Sequence, residues 1–225
     1  MKSLLKEVPL LNRHTDRFEQ SGIYQGIEAQ NLEEVRPQWE PMLNRRRADF
    51  DTWIAAAKGD VQDAHWNWAE KAAQIEGSLR HEMFSIECKG QTQGLMLIDK
   101  LRFGRLPGQH GRDLIYVEFL TTAPWNRRGI VARPHYRGVG KILMFSAISV
   151  SVDEGFGGRV GLHSLPQAEG WYSDFGLSDL GCDQSKEGLR YFELSEAKVS
   201  EFLRQDGERY AEVPILGQMD QDKDS

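Results

Sequence analysis

The spacing of apolar residues changes near residue 80. From Asn31 to about Gly77 they recur at helical intervals. Asn31 is a candidate N-cap with Glu34 three residues on, close to a capping box, and Pro37 and Pro41 are expected to break or kink the helix that follows. RRRADFDTWIAAA and DAHWNWAEKAAQI give two further helical stretches, with Asp60 or Asp63 available to cap the second. Beyond that point the period shortens. HEMFSIECKGQTQGLMLIDKLRF (81–103) reads as two strands around a KGQTQG turn, and GRLPGQHGR as a polar, glycine-rich loop. DLIYVEFLTTA (113–123) is apolar at almost every position, as a strand buried on both faces must be. PWNRRGIVARP then connects to a helix over roughly 138–154, which Gly155 ends.

GRVGLHSL (158–165) is the next strand. Ser164 and Gln167 form a capping-box pattern, with a proline in the first turn, ahead of a short helix through WYSDFG. The stretch around Cys182 reads as a loop, LRYFELS (189–195) as a strand, and a helix follows. At the other end, SGIYQGIEA (21–29) is a short strand and residues 1–20 are an extension of uncertain structure. The order of elements predicts mixed α/β (α+β) structure around one sheet. A single domain spans 21–215, with an enlarged helical segment after the first strand and a disordered polar tail at 216–225.

Composition narrows the function classes. The chain has 225 residues, a net charge of −6 and a pI of about 5.6, which argues against nucleic acid as the main partner. Its two cysteines, Cys88 and Cys182, have no metal-like spacing, fit a reducing compartment, and leave no metal expected. Lys6, Glu7 and Pro9 interrupt the N-terminal apolar stretch, so no signal peptide is read there. The apolar run from Ile142 to Val152 is too short to span a membrane. A cytoplasmic location and no membrane partner are expected by elimination.

HYRGVGKIL (135–143) carries the strongest chemical signal. Gly138 and Gly140 stand where a buried strand has just led into a helix, although glycine weakens a helix by about 1 kcal/mol relative to alanine. The unbonded N–H groups of a helix's first turn form an anion site, and glycine lets a phosphate approach the backbone. Arg137 and Lys141 add charge at the rim, so a pyrophosphate is the natural guest. The third glycine of a dinucleotide fingerprint and the Walker spacing are absent. A tight turn without a ligand is the competing reading of the spacing alone.

The second half of the chain, roughly 82–195, resembles the GNAT superfamily of acyl-CoA-dependent N-acetyltransferases. One family motif, Arg/Gln-x-x-Gly-x-Gly/Ala at a strand-to-helix turn, reads His135-Tyr136-Arg137-Gly138-Val139-Gly140 here, with His135 departing at the first position. A second, Asn-x-x-Ala-x-x-aromatic-Tyr-x-x-x-Gly-Phe, reads from Leu165 through Ala168, Trp171, Tyr172 and Gly176 to Leu177, with Leu165 in place of asparagine. The resemblance implies a mixed, twisted, centrally splayed sheet flanked by helices. It implies acetyl-CoA as donor, held by Arg137, Gly138, Val139, Gly140 and Lys141 and by backbone groups of Phe119, Leu120 and Thr121. An amine, small molecule or protein, would be the acceptor, attacking directly in a ternary complex. A non-catalytic acyl-CoA-binding or partner-docking module is the alternative.

Glu118 is the one carboxylate in LIYVEFL and the candidate general base, acting directly or through one water. A buried carboxylate is costly without a use or a partner, and pairing with a structural arginine or lysine is the other reading. By the resemblance, Tyr172 is the candidate acid facing the CoA sulfur; a packing tyrosine beside Trp171 is the alternative. Trp125, Asn126 and His163 are candidates for the acceptor side. A loop anchored by one tryptophan, and a structural histidine, are the plainer readings. The arginines of NRRRADF (44–50) are expected on a solvated face, and the tryptophans at 39, 53, 66 and 68 in helix packing.

Overall fold

A computed structural model describes residues 2–44 and 62–209. Its centre is one nine-stranded sheet in the order β6-β1-β2-β3-β4-β5-β7-β9-β8. The strands are β1 (Ser3–Asn12), β2 (Arg17–Gln25), β3 (His81–Cys88), β4 (Gln91–Phe103), β5 (Asp113–Thr122), β6 (Tyr136–Arg137), β7 (Val160–Ser164), β8 (Ser178–Asp183) and β9 (Leu189–Leu194). All neighbours are antiparallel except β5 and β7. That parallel pair is joined by α3 (Val139–Asp153), which crosses one face of the sheet. Helices α4 (Glu169–Phe175) and α5 (Glu196–Arg209) contribute to the same core. On the other face lie α1 (Ala29–Glu34), its continuation, and α2 (Trp68–Gln74). The expected mixed α/β architecture, a large splayed sheet flanked by helices, is the one observed.

Helix α3 buries Val139, Leu143, Met144, Ala147 and Ile148, one stripe at helical spacing. Gly94 of β4 is what lets it come so close. A Cβ there would stand 2.8 Å from Val139 and 3.0 Å from Leu143. Gly138, the N-cap, has φ +95°, a conformation open to glycine and costly for most residues. The buried run of β5 meets α3 through Ile115 and Val117, and the opposite helical layer through Phe119.

Several sequence expectations are corrected. Residues 1–20 are not a bare extension: they supply β1 and the start of β2, a hairpin turned by Asn12, whose Oδ1 accepts from the N–H groups of His14 and Thr15. The strand read at 21–29 is β2, and it starts and ends earlier. Asn31 is not an N-cap. Glu28 holds that place, and Asn31 closes the box from the third helical position, donating on to Glu87 and Thr92. Pro37 does not break the helix, which widens through a π turn over Val35–Trp39. Proline's missing N–H and its ring clash are accommodated there. Asn67, not Asp60 or Asp63, caps α2. The Ser164–Gln167 capping box does not form: the Ser164 hydroxyl bonds Leu165 O, and Gln167 reaches Gln62 and Asp63. Cys182 lies in β8 rather than in a loop. Trp39 and Trp68 are core residues, as expected, and Trp66 packs partly buried beside them. Residues 45–57, expected to be helical, with their three arginines and Trp53, residue Asp60, and the tail at 216–225 lie outside the described residues.

Candidate active site

Strands β5 and β7 pair at Ile115–Val160, Tyr116–Gly161 and Val117–Leu162, and then separate. On the β4 side, the register jumps between Leu97–Phe119 and Ile98–Val117, so Glu118 is the extra residue of a β-bulge. A bulge bends its strand and re-aims the side chain it carries. The sheet therefore opens into a V at Glu118. Beyond Val117, no strand among the described residues pairs with the β7-facing edge of β5, the edge along Phe119 to Thr121. The V is part of a cleft of about 2010 Å³.

One mouth of this cleft is the glycine turn. No side chain caps α3, so the first-turn N–H groups point into the opening. Arg137 and Lys141 are exposed there, as is Arg128, and none has an ion-pair partner among the described residues. A Cβ on Gly140 would lie 3.5 Å from Trp171 and 3.8 Å from Thr122, so the turn, the end of β5 and α4 converge. Tyr172 is 7% exposed and lines the cleft, with no hydrogen-bond partner for its hydroxyl among the described residues. Burial raises its pKa, and the Asp63 charge adds to this, so it stays a proton donor.

The other mouth opens on the opposite face. Glu118, Phe119, Trp66 and His163 line it, with Lys186 and Glu187 from the turn between β8 and β9. Glu118 Oε2 stands 4.0 Å from His81 Nε2, and Oε1 stands 3.9 Å from Arg102. His81, Asp99 and Glu118 offer ligand atoms within 4.8 Å of one another. Asp99 there is fully buried and already bonded by the guanidinium groups of Arg80 and Arg102, which supply its counter-charge.

Sequence reasoning missed a second group at the floor. Asp63 is 5% exposed and takes Arg127 in a two-pronged pair, with 2.8 Å between NH1 and Oδ1. It also accepts from Thr121 Oγ1 at 2.7 Å and from Gln167 Nε2 at 3.2 Å. Arg127 donates to Thr122 O at 2.9 Å. Gln62 and Gln167 exchange bonds of 2.8 and 3.0 Å. Burial pushes the Asp63 carboxyl up, but Arg127, Thr121 and Gln167 more than offset this and hold it below the ordinary value. The helical segment, the end of β5 and the turn before α4 are thereby fastened together. Local sequence offered no sign of it, because the partners are 58 to 104 positions apart.

Of the expected acceptor-side residues, only Asn126 and His163 line the cleft, and both are engaged. Asn126 donates to Gln93 and accepts from Tyr136 N. Trp125 Nε1 donates to Gln93 Oε1 at 2.9 Å and packs edge-on to Trp39, the loop-anchoring arrangement. His163 bonds Tyr116 and Asp183. Among the described residues, no helix is long and apolar enough to cross a membrane.

No family model matches the chain, and no curated protein matches it. Solved structures do. The PaiA N-acetyltransferase of Thermoplasma acidophilum, in complex with coenzyme A, is 10% identical, covers 76% of this chain and 97% of its own, and has a TM-score of 0.48. An acetyltransferase of the GNAT family from Desulfovibrio desulfuricans, described as putative, is 11% identical over 78% of this chain and 99% of its own, with a TM-score of 0.47. An aminoglycoside N-acetyltransferase in complex with CoA is 16% identical over 71% and 89%, with a TM-score of 0.44.

Proposed function

We propose that this protein is an acetyl-CoA-dependent N-acetyltransferase of GNAT type. One observation carries the reading: the sheet splays at Glu118, and the splay opens beside a helix begun by two glycines and flanked by the exposed cations Arg128, Arg137 and Lys141. The pyrophosphate would sit on the first-turn N–H groups of α3, with Arg137, Lys141 and Arg128 around it. The pantetheine arm would lie along Phe119, Leu120 and Thr121 and hydrogen-bond the edge that β7 leaves, where the same backbone dipoles polarise the thioester carbonyl. The acceptor enters from the face of Trp66 and Phe119. Glu118 draws its ammonium and serves as base in the attack, directly or through one water. Tyr172 gives its proton to the departing thiolate. Direct attack needs neither cysteine.

The second reading, a non-catalytic acyl-CoA-binding module, is favoured by the contacts of Glu118 with His81 and Arg102 and by Leu165 at a position where the family carries asparagine. Release of free thiol from acetyl-CoA in the presence of a panel of amines separates the two. Release with any one amine establishes transfer. Tight binding with no release across the panel favours the module.

A further inference from the structure

At the apex of the V, on the acceptor face, three side chains from three strands form a chain of hydrogen bonds. The Tyr116 hydroxyl lies 2.7 Å from His163 Nδ1, and His163 Nε2 lies 3.1 Å from Asp183 Oδ2. Asp183 is an ionised acceptor, held far below the usual carboxylate range by Ser185, Arg105 and His163. Nε2 therefore carries the ring proton, and Nδ1 accepts from Tyr116. Tyr116 and His163 both line the cleft. Tyr116 stands two residues before Glu118 on β5, and both line the cleft where an amine would stand.

Acetylation of an ammonium removes two protons from nitrogen: one ends on the thiol and one in solvent. Glu118 and Tyr172 account for the proton that leaves during attack. The first proton, which must leave before nitrogen has a lone pair, needs its own route. We propose that Tyr116, His163 and Asp183 are that route, Tyr116 being the catalytic residue and the other two positioning residues; the proposal rests on the acetyl-transfer reading. The ammonium N–H bond breaks and its electron pair stays on nitrogen. The proton passes to Tyr116 Oη as the tyrosine's own proton passes to His163 Nδ1. The positive charge moves from ammonium to imidazolium, beside Asp183. After products leave, the proton returns through Tyr116 to water in the cleft.

The surroundings suit this cycle. Burial, opposed by Asp183, lowers the His163 pKa and keeps the ring neutral at rest. The ring is faced by Tyr116 from β5, Asp183 from β8, Tyr191 from β9, and Arg105 and Lys186 from loops, and the two cations favour discharge of the imidazolium. Tyr116 is faced by Glu118, Arg102 and Arg105; burial and the Glu118 charge push it up to about 12, so it shuttles a proton without staying ionised.

The test uses Tyr116→Phe and His163→Gln in the full chain. With a reactive amine, kcat/KM at pH 7 should fall roughly 10²-fold in both, and the deficit should shrink below about tenfold once pH exceeds the amine's own pKa. Acetyl-CoA affinity should stay unchanged. A deficit constant with pH, or native rates at pH 7, overturns the relay while leaving acetyl transfer standing. Failure of the unaltered chain to bind acetyl-CoA overturns acetyl transfer instead. Nitrogen NMR of His163 needs no acceptor: an Nε2-protonated ring whose Nδ1 signal moves in Tyr116→Phe is expected, and a ring protonated at Nδ1 overturns the relay.

Discussion

Asp63→Ala removes the carboxylate that fastens three parts of the molecule. The side chains of Arg127 and Asp63 are 13% and 4% exposed, so the pair is nearly dry and solvent screening is slight. Deleting one partner of such a pair takes the carboxylate from a nearly buried guanidinium and costs about 3–5 kcal/mol. At about 2–4 °C per kcal/mol for a chain of this size, Tm should fall by about 6–20 °C. Asp63→Ala combined with Arg127→Met removes the guanidinium as well and should recover part of the loss, with a coupling energy of about 1.5–3 kcal/mol. The pH dependence has a definite sign. The folded-state pKa of Asp63 is depressed, so its contribution is complete above the unfolded value of about 3.9 and disappears as pH falls below that through the folded value. Urea unfolding of the four chains of the cycle, at pH 7 and at pH 3, reads all of this. An Asp63→Ala chain within about 1 kcal/mol of the parent at pH 7 would refute the reasoning, since only a solvated surface pair behaves so.

Tyr172→Phe keeps the ring and its packing and removes the donor: acetyl-CoA affinity should hold in calorimetry while turnover drops by roughly 10²-fold, and equal turnover would return Tyr172 to packing. Glu118→Gln should lower kcat by a similar factor of about 10² at every pH and raise KM for a cationic amine; native kinetics would make the carboxylate a partner of His81 and Arg102 alone. Cys88→Ser with Cys182→Ser should retain activity, and an acetyl group found on either cysteine by mass spectrometry during turnover would contradict direct attack.

The parts of the fold legible in the sequence are those whose signal is local. The run LIYVEFL announces a strand buried on both faces, and β5 is that strand. The paired glycines announce a helix start with a bare backbone, and α3 begins there with Gly138 at positive φ. The hidden parts depend on partners far along the chain or on broken periodicity. In β1 a register shift between Leu4 and Lys6 disturbs the alternation that would have marked a strand. In β8, SDLGCD is an edge strand exposed along most of its length, so no apolar face identifies it. Asp63 sits ahead of a helix and reads as a cap until Arg127 is brought to it. Glu118 stood out as a carboxylate among apolar neighbours, but the bulge that aims it belongs to the pairing with β4. Tyr116 and His163 became one unit only when β5 and β7 were laid side by side.

The central claim is that the turn at Gly138 holds the phosphates of an acyl-CoA. Calorimetric titration of the parent, Gly138→Asn and Gly138→Asp with acetyl-CoA tests it most directly. Both substitutions place a similar side chain at the same positive φ, which Asn and Asp tolerate better than other residues, and a Cβ there meets nothing within 4 Å. They differ in charge. A carboxylate about 4 Å from a phosphate repels it by about 4 kcal/mol at an effective dielectric of 20, a roughly 10³-fold loss of affinity. The account predicts binding by the parent, weakened binding by Gly138→Asn and none measurable by folded Gly138→Asp. Equal affinity in all three chains would contradict it.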